Sequence, residues 1–266
     1  MSRAWFGALL ATALALALAF LTLPLVGILT NVPPRALVSR LDDGESLDAL
    51  RLSLETTALA VAIIVAVGTP AAYLLATRRF RGRALVTTLL ELPLVLPPAV
   101  AGIGLLAAFG PRGLLGAQLD DAGVRIALTT AGVVAAQVFV ASPFYVRQAQ
   151  AAFAALDPAL LDASRTLGAS PARTFARVAV PVALPTLLAG GALAWGRALG
   201  EFGATLIVAG SFRGVSETAP LAIYGLFAGD FDAALALSAV LLAVSAGLLL
   251  AVRLAGARAG GAGARA

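Results

Sequence analysis

The feature that most constrains this chain is a series of long apolar runs with arginine-bearing stretches between them. A membrane-crossing helix needs about 20 mainly apolar residues at 1.5 Å rise each. Six stretches meet that length: Trp5–Leu29, Thr56–Thr77, Ala84–Phe109, Ile126–Val146, Val178–Leu199 and Ala233–Val252. Only 12% of the 266 residues are charged, about half the share that coats a soluble domain. The chain therefore reads as an all-α integral membrane protein with six transmembrane helices. Period-two strands are absent, which excludes a β-barrel. Disorder is excluded as well, because it needs low hydrophobicity and high net charge. The first run, 25 residues long, exceeds the apolar core of a secretory signal and predicts a retained helix.

The arginines set an orientation. Segments assigned to the cytoplasm (Arg3; Arg78, Arg79, Arg81, Arg83; Arg147, Arg165, Arg173, Arg177; Arg253, Arg258, Arg265) hold 12 Arg against two acids, Asp157 and Asp162. The outer segments, with Arg35, Arg40, Arg51, Arg112, Arg125 and Arg213, hold six Arg against ten acids. Arginine-rich loops stay inside, so both termini are expected in the cytoplasm. The net charge of +5 is thus a topology signal, and no nucleic-acid partner is expected. The outer loop Asn31–Ser53 carries Pro33, Pro34 and the acids Asp42, Asp43 and Glu45, and the Gly/Ala/Arg-rich tail Gly256–Ala266 is expected to fray. That short tail leaves no room for an appended regulatory domain.

Chemistry is bounded just as tightly. Zero Cys and zero His remove thiolate chemistry, disulfides, the usual general base and the commonest metal ligands. A catalytic site, a metal and a cofactor are all unexpected. No Gly-rich phosphate loop of the ATP-binding type is present, so any ATP-driven work needs a separate polypeptide.

The segment between spans four and five has its own helix grammar. Asp157-Pro158 is an N-cap followed by proline at the first helical position. Leu156 and Leu161 stand where a hydrophobic staple falls. Leu160, Ala163 and Leu167 share one face, with Asp162 and Arg165 turned away. Gly168 follows as a left-handed C-cap residue, and Ser170-Pro171 opens a second helix that carries Arg173 and Arg177 into span five. Such an amphipathic helix either lies on the membrane interface or docks on a partner protein.

These residues resemble the cytoplasmic motif of integral subunits of bacterial ABC importers: Glu-Ala-Ala, three residues, Gly, nine residues, Ile-x-Leu-Pro. Here it stands as Asp162-Ala163-Ser164, Gly168 and Val178-x-Val180-Pro181, with every spacing kept and four conservative replacements. The stretch Glu91-Leu92-Pro93-Leu94-Val95-Leu96-Pro97-Pro98 resembles a signature of oxyanion permeases, molybdate permeases foremost and tungstate and sulfate permeases beside them. So do Gly200-Glu201-Phe202-Gly203-Ala204-Thr205 and Thr218-Ala219-Pro220-Leu221-Ala222-Ile223-Tyr224. The resemblance implies the type I ABC importer permease fold. Residues 1–49 would be the first span and outer loop, 50–253 the transporter domain and 254–266 a cytoplasmic tail. It implies two copies of the chain in the lipid bilayer, two cytoplasmic ATPase subunits and an external oxyanion-binding protein. Leu160, Asp162, Ala163, Ser164, Gly168, Ser170, Pro171, Arg173, Val178 and Pro181 would form the loop that docks on the ATPase. Gly168 would allow close backbone approach there.

The remaining candidates are intramembrane. Pro93, Pro97 and Pro98 break span three, which fits a bent pathway helix or a packing kink alike. Glu91, Arg197 and Glu201 are charges within spans, and such residues mark pathways or interfaces. Arg197 and Glu201, four apart, either pair and neutralise each other or shape a gate with Gly200 and Gly203. A membrane enzyme would need clustered nucleophiles that this chain lacks. A channel or carrier working without ATP would not need the spaced loop motif.

Overall fold

The computed structural model describes residues 3–33 and 44–263. Every regular element among them is helical: α1 (Arg3–Asn31), α2 (Gly44–Thr77), α3 (Arg83–Glu91), α4 (Pro98–Phe109), α5 (Gly116–Asp121), α6 (Thr130–Ala154), α7 (Pro158–Thr166), α8 (Pro171–Thr174), α9 (Val180–Leu199), α10 (Gly203–Ala209), α11 (Ala219–Phe227) and α12 (Phe231–Gly263). The outer-loop residues Pro34, Arg35, Arg40, Asp42 and Asp43, and Arg265 of the tail, lie outside the described residues.

Four described helices or continuous helical runs are long and apolar enough to cross a bilayer: α1, α2, α12 and the stretch Pro171–Leu199. A fifth exists if the bent pair Arg83–Leu94 and Pro98–Phe109 counts as one span. The remaining expected span, α6, is 25 residues long but carries Gln137, Ser142, Gln148 and Gln150. Its polar residues are tolerated because α6 is the central post of the bundle. A helix shielded from lipid by its neighbours need not be apolar all round.

Two core clusters meet on that post. In one, Ile64 and Ala72 of α2 pack with Tyr145, Ala149 and Phe153 of α6 and with Ala183, Leu187 and Ala194 of α9. In the other, Ala101 and Leu105 of α4 pack with Val133 and Val140 of α6 and with Ala204 and Val208 of α10. Alanines dominate because small residues let helix backbones approach closely where lipid supplies no hydrophobic drive. Gly190 does the same against the Gln148 Cβ, 3.0 Å from where a Cβ of its own would sit. By contrast α1 is covered by little of this chain: Leu16 and Phe20 are 66% and 77% exposed, as lipid-facing residues are.

Four boundaries differ from expectation. Helix α2 begins at Gly44 rather than Thr56, so half of the expected outer loop is helix. Ser53 holds it there: its hydroxyl accepts the Ala219 N–H at 2.7 Å and caps α11. Helix α6 runs to Ala154, past Val146, because Ala149, Ala152 and Phe153 stay buried against α2 and α9. The tail expected to fray from Gly256 is helical to Gly263. The third expected span is two segments meeting at 115°. Pro97 follows Leu96 and precedes Pro98, and the residue before a proline is pushed out of the α region. Pro97 accordingly sits extended, at φ −55° and ψ 138°. At 12 residues, α4 is about 18 Å long, too short to cross a hydrocarbon core alone.

Candidate functional site

The loop between α6 and α9 is built from local signals. The Asp157 carboxylate accepts the Ala159 N–H at 2.9 Å, and Pro158 takes the first helical position. At the far end the Gly168 N–H donates to the Arg165 carbonyl at 2.9 Å, and the Ala169 N–H to the Ser164 carbonyl at 3.1 Å. That bonding pair is the Schellman termination, which requires a left-handed residue; Gly168 has φ +79°. Ser170 then accepts the Arg173 N–H at 3.4 Å, and Pro171 opens α8.

This arrangement gives α7 two faces. Leu156 and Leu161 pack on the core cluster of Tyr145, Ala149 and Phe153. The Ser164 and Thr174 hydroxyls lie 2.9 Å apart and tie α7 to α8. On the adjoining face Leu160 is 45% exposed and Leu167 88% exposed, with Ala163 exposed beside them. Asp162 pairs with Arg165 at 3.0 Å on the solvated flank. Arg173 and Arg177 are exposed. A Cβ on Gly168 would meet nothing within 4 Å, so within this chain only its positive φ demands glycine.

Val178 falls within a π-helical turn, Phe175–Ala179, where the Val180 N–H reaches back to the Phe175 carbonyl. The cause is Pro181, which follows at once and is exposed. Proline has no N–H to bond the carbonyl four residues back, and its ring collides with that carbonyl in a regular α-turn. Widening the turn relieves both.

The second group of residues gathers at the other end of α9, about 30 Å away by the rise of its 20 residues. Arg197 Nη2 meets Glu201 Oε2 at 2.6 Å, with the Glu201 side chain 1% exposed and that of Arg197 28%. The other oxygen of Glu201 accepts the Ala204 N–H at 2.8 Å and so caps α10. Gly200 ends α9. Gly203 faces Pro98: a Cβ there would lie 2.7 Å from the Pro98 Cβ. One turn further on, Gly102 faces the Ala204 backbone at 2.9 Å in the same sense. Pro97 and Pro98 are thus brought to the Gly200–Gly203 corner, whereas Pro93 lies in the 3-10 turn Leu92–Leu94 and is half-buried.

Glu91 joins neither group. It is not an isolated intramembrane charge, because Arg147 Nε lies 3.3 Å from its Oε1. The sequence reading missed that partner by ending span four at Val146. The signal was available: no proline or glycine interrupts 147–156, so α6 had no reason to stop. Also unanticipated were the Gln137 amide donating to Thr57 at 3.2 Å and the Thr69–Tyr145 hydroxyl pair at 2.6 Å, which join α6 to α2.

Comparison with known proteins places this architecture. Residues 68–258 match the family described as binding-protein-dependent transport system inner membrane component. The chain is 43% identical over 233 residues, 88% of each protein, to the molybdenum transport system permease protein ModB of Mycobacterium tuberculosis. It is 35% identical to the molybdate/tungstate transport system permease protein WtpB of Pyrococcus abyssi, covering 88% of this chain and 89% of that protein. With a probable sulfate transport system permease protein of Chlorokybus atmophyticus it shares 32% identity, covering 87% and 86%. Among solved structures, a bacterial ABC transporter that imports alginate superposes with TM-score 0.77 over 96% of both chains at 20% identity. The methionine transporter MetNI superposes at 0.58 over 80% of this chain and 94% of that one, at 18% identity.

The chain belongs to the binding-protein-dependent transport system inner membrane component family. It is a multi-pass inner-membrane permease subunit of a binding-protein-dependent ABC importer.

Proposed function

We propose that the chain forms the translocation pathway for an oxyanion, with molybdate as substrate, and works as two copies beside two ATPase subunits. Each copy crosses the membrane six times with both termini inside: α6 and the broken pair α3–α4 complete the set. The identity of 43% over 88% of both chains to relatives described as molybdenum permeases supports molybdate, beside 35% to a molybdate/tungstate permease and 32% to a probable sulfate permease.

One observation carries the ATPase-docking reading. The Leu160–Ala163–Leu167 face of α7 stands open while Leu161 and Ser164, on the adjoining face, fasten the helix to the bundle. An apolar face on a rigid, capped helix is the form that helix-in-groove recognition uses. The open space around Gly168 lets a partner backbone approach the end of that helix. ATP-driven approach of the two ATPase subunits would displace α7, and the bundle would rock between inward-open and outward-open states. The Pro98–Gly203 contact and the Arg197–Glu201 pair then shape the pathway at the far end of α9. The test is uptake of labelled molybdate by the reconstituted complex, with tungstate and sulfate as competitors. Molybdate should compete best. Uptake that sulfate suppresses and molybdate does not would overturn the substrate assignment.

A further inference from the structure

A docked partner can move the spans only if α7 is rigidly joined to them, and nine residues cannot transmit load by themselves. Three rings meet directly behind the loop. Tyr73 of α2 and Phe153 of α6 stand edge to face with centroids 5.2 Å apart, and Phe175 of the π-turn lies 4.8 Å from the first and 6.2 Å from the second. Phe153 is 2% exposed, and Leu156 and Leu161, on either side of the α7 N-cap, pack on the same cluster. Thr174, 1% exposed and next to Phe175 in the chain, takes the Ser164 hydroxyl at 2.9 Å. Thus α7 reaches the cluster twice: through Leu161, with Leu156 just ahead of its cap, and through Ser164 and Thr174 to the Phe175 ring.

We propose that Tyr73, Phe153 and Phe175, with the Ser164–Thr174 hydroxyl pair, are positioning residues that make α7, the inner ends of α2 and α6, and the start of α9 move as one body. The inference rests on the docking reading above. Interdigitated rings do not slide past one another by small increments; packed interfaces shift between discrete arrangements. The wide turn at Phe175–Ala179 adds the complement. It releases the rest of α9 from strict helical register with α8, so the joint turns as a unit without bending α9 along its length.

The experiment uses the full complex in proteoliposomes and reads molybdate uptake per ATP hydrolysed, together with ATPase co-purification. Phe175→Ala should keep the ATPase bound and hydrolysing while uptake per ATP falls about five-fold, the scale on which residues between two sites alter coupling. Phe175→Tyr should restore the ratio, and Ser164→Ala should lower it to a lesser degree. Phe231→Ala, which breaks an equivalent ring contact (5.9 Å to Phe227) far from the loop, should leave the ratio unchanged. Should Phe175→Ala not assemble, Phe175→Leu keeps the apolar volume and asks the same question. An unaltered ratio in the Phe175 variants, while Leu167→Asp still releases the ATPase, overturns this inference alone. Retention of the ATPase by Leu167→Asp with normal uptake overturns the docking reading itself.

Discussion

Glu201 and Arg197 meet at 2.6 Å at the end of α9, with the carboxylate almost wholly buried and the guanidinium three-quarters so. Breaking a buried pair from one side is costly because it strands a charge, about 3–5 kcal/mol. The two sides are unequal here. Arg197→Ala strands the buried carboxylate, whereas Glu201→Gln leaves a guanidinium that still reaches solvent. Thermal unfolding of purified protein should show the larger loss for Arg197→Ala, together with lower uptake. Leu16→Ala, on the lipid-facing surface of α1, should change neither. Equal behaviour of Arg197→Ala and Leu16→Ala would refute a role for the pair.

Gly203 approaches Pro98 so closely that any side chain must displace it. Overpacking of this kind costs about 1–3 kcal/mol. Gly203→Ala should therefore lower the unfolding temperature, and adding Pro98→Gly should recover part of the loss by removing the opposing Cβ. A double variant no more stable than the single one would show that the contact is not what limits the site.

At Gly168 the requirement is conformational. A left-handed helical backbone costs an ordinary residue roughly 1–2 kcal/mol, and β-branched side chains more. Gly168→Ala should be tolerated in membrane insertion and lower uptake modestly. Gly168→Val should insert but abolish most ATP-driven uptake, because it also fills the open space beside α7. Quantitative blotting of membranes against uptake separates the two effects. Full uptake by Gly168→Val would contradict the docking role.

Glu91 and Arg147 are 37% and 61% exposed, so water screens their attraction. Such pairs contribute about 0–1 kcal/mol. Each single neutralisation should lower stability by less than about 1 kcal/mol, and a charge swap should restore most of it. A double-mutant cycle on unfolding reads the coupling directly; a value several-fold larger would mean that the pair is shielded in the assembled transporter.

What could be read in the sequence was what is decided locally. Asp157, Gly168 and Ser170 each act through hydrogen bonds to residues within four positions, so their spacing alone implied a helix, a turn and a second helix. The prolines at 93, 97 and 98 announced a break, but not its 115° angle. That angle is set by α4 lying on α10 through Gly102 and Gly203, a contact made across a hundred residues of chain. Glu91 looked isolated because hydropathy falls where α6 meets its glutamines, while burial on α2 and α9 carries the helix on to Ala154. The ring cluster of Tyr73, Phe153 and Phe175 left no trace in spacing, since its members come from three separate elements.

The central claim is that the exposed face of α7 is gripped by a cytoplasmic ATPase subunit. The chain has no cysteine, so one placed at Leu167, 88% exposed, is a unique reporter. Cross-linking from that position in membranes holding every subunit should capture the ATPase, with a yield that changes when ATP is added. Capture of phospholipid alone, with all the companion subunits present, would contradict the account.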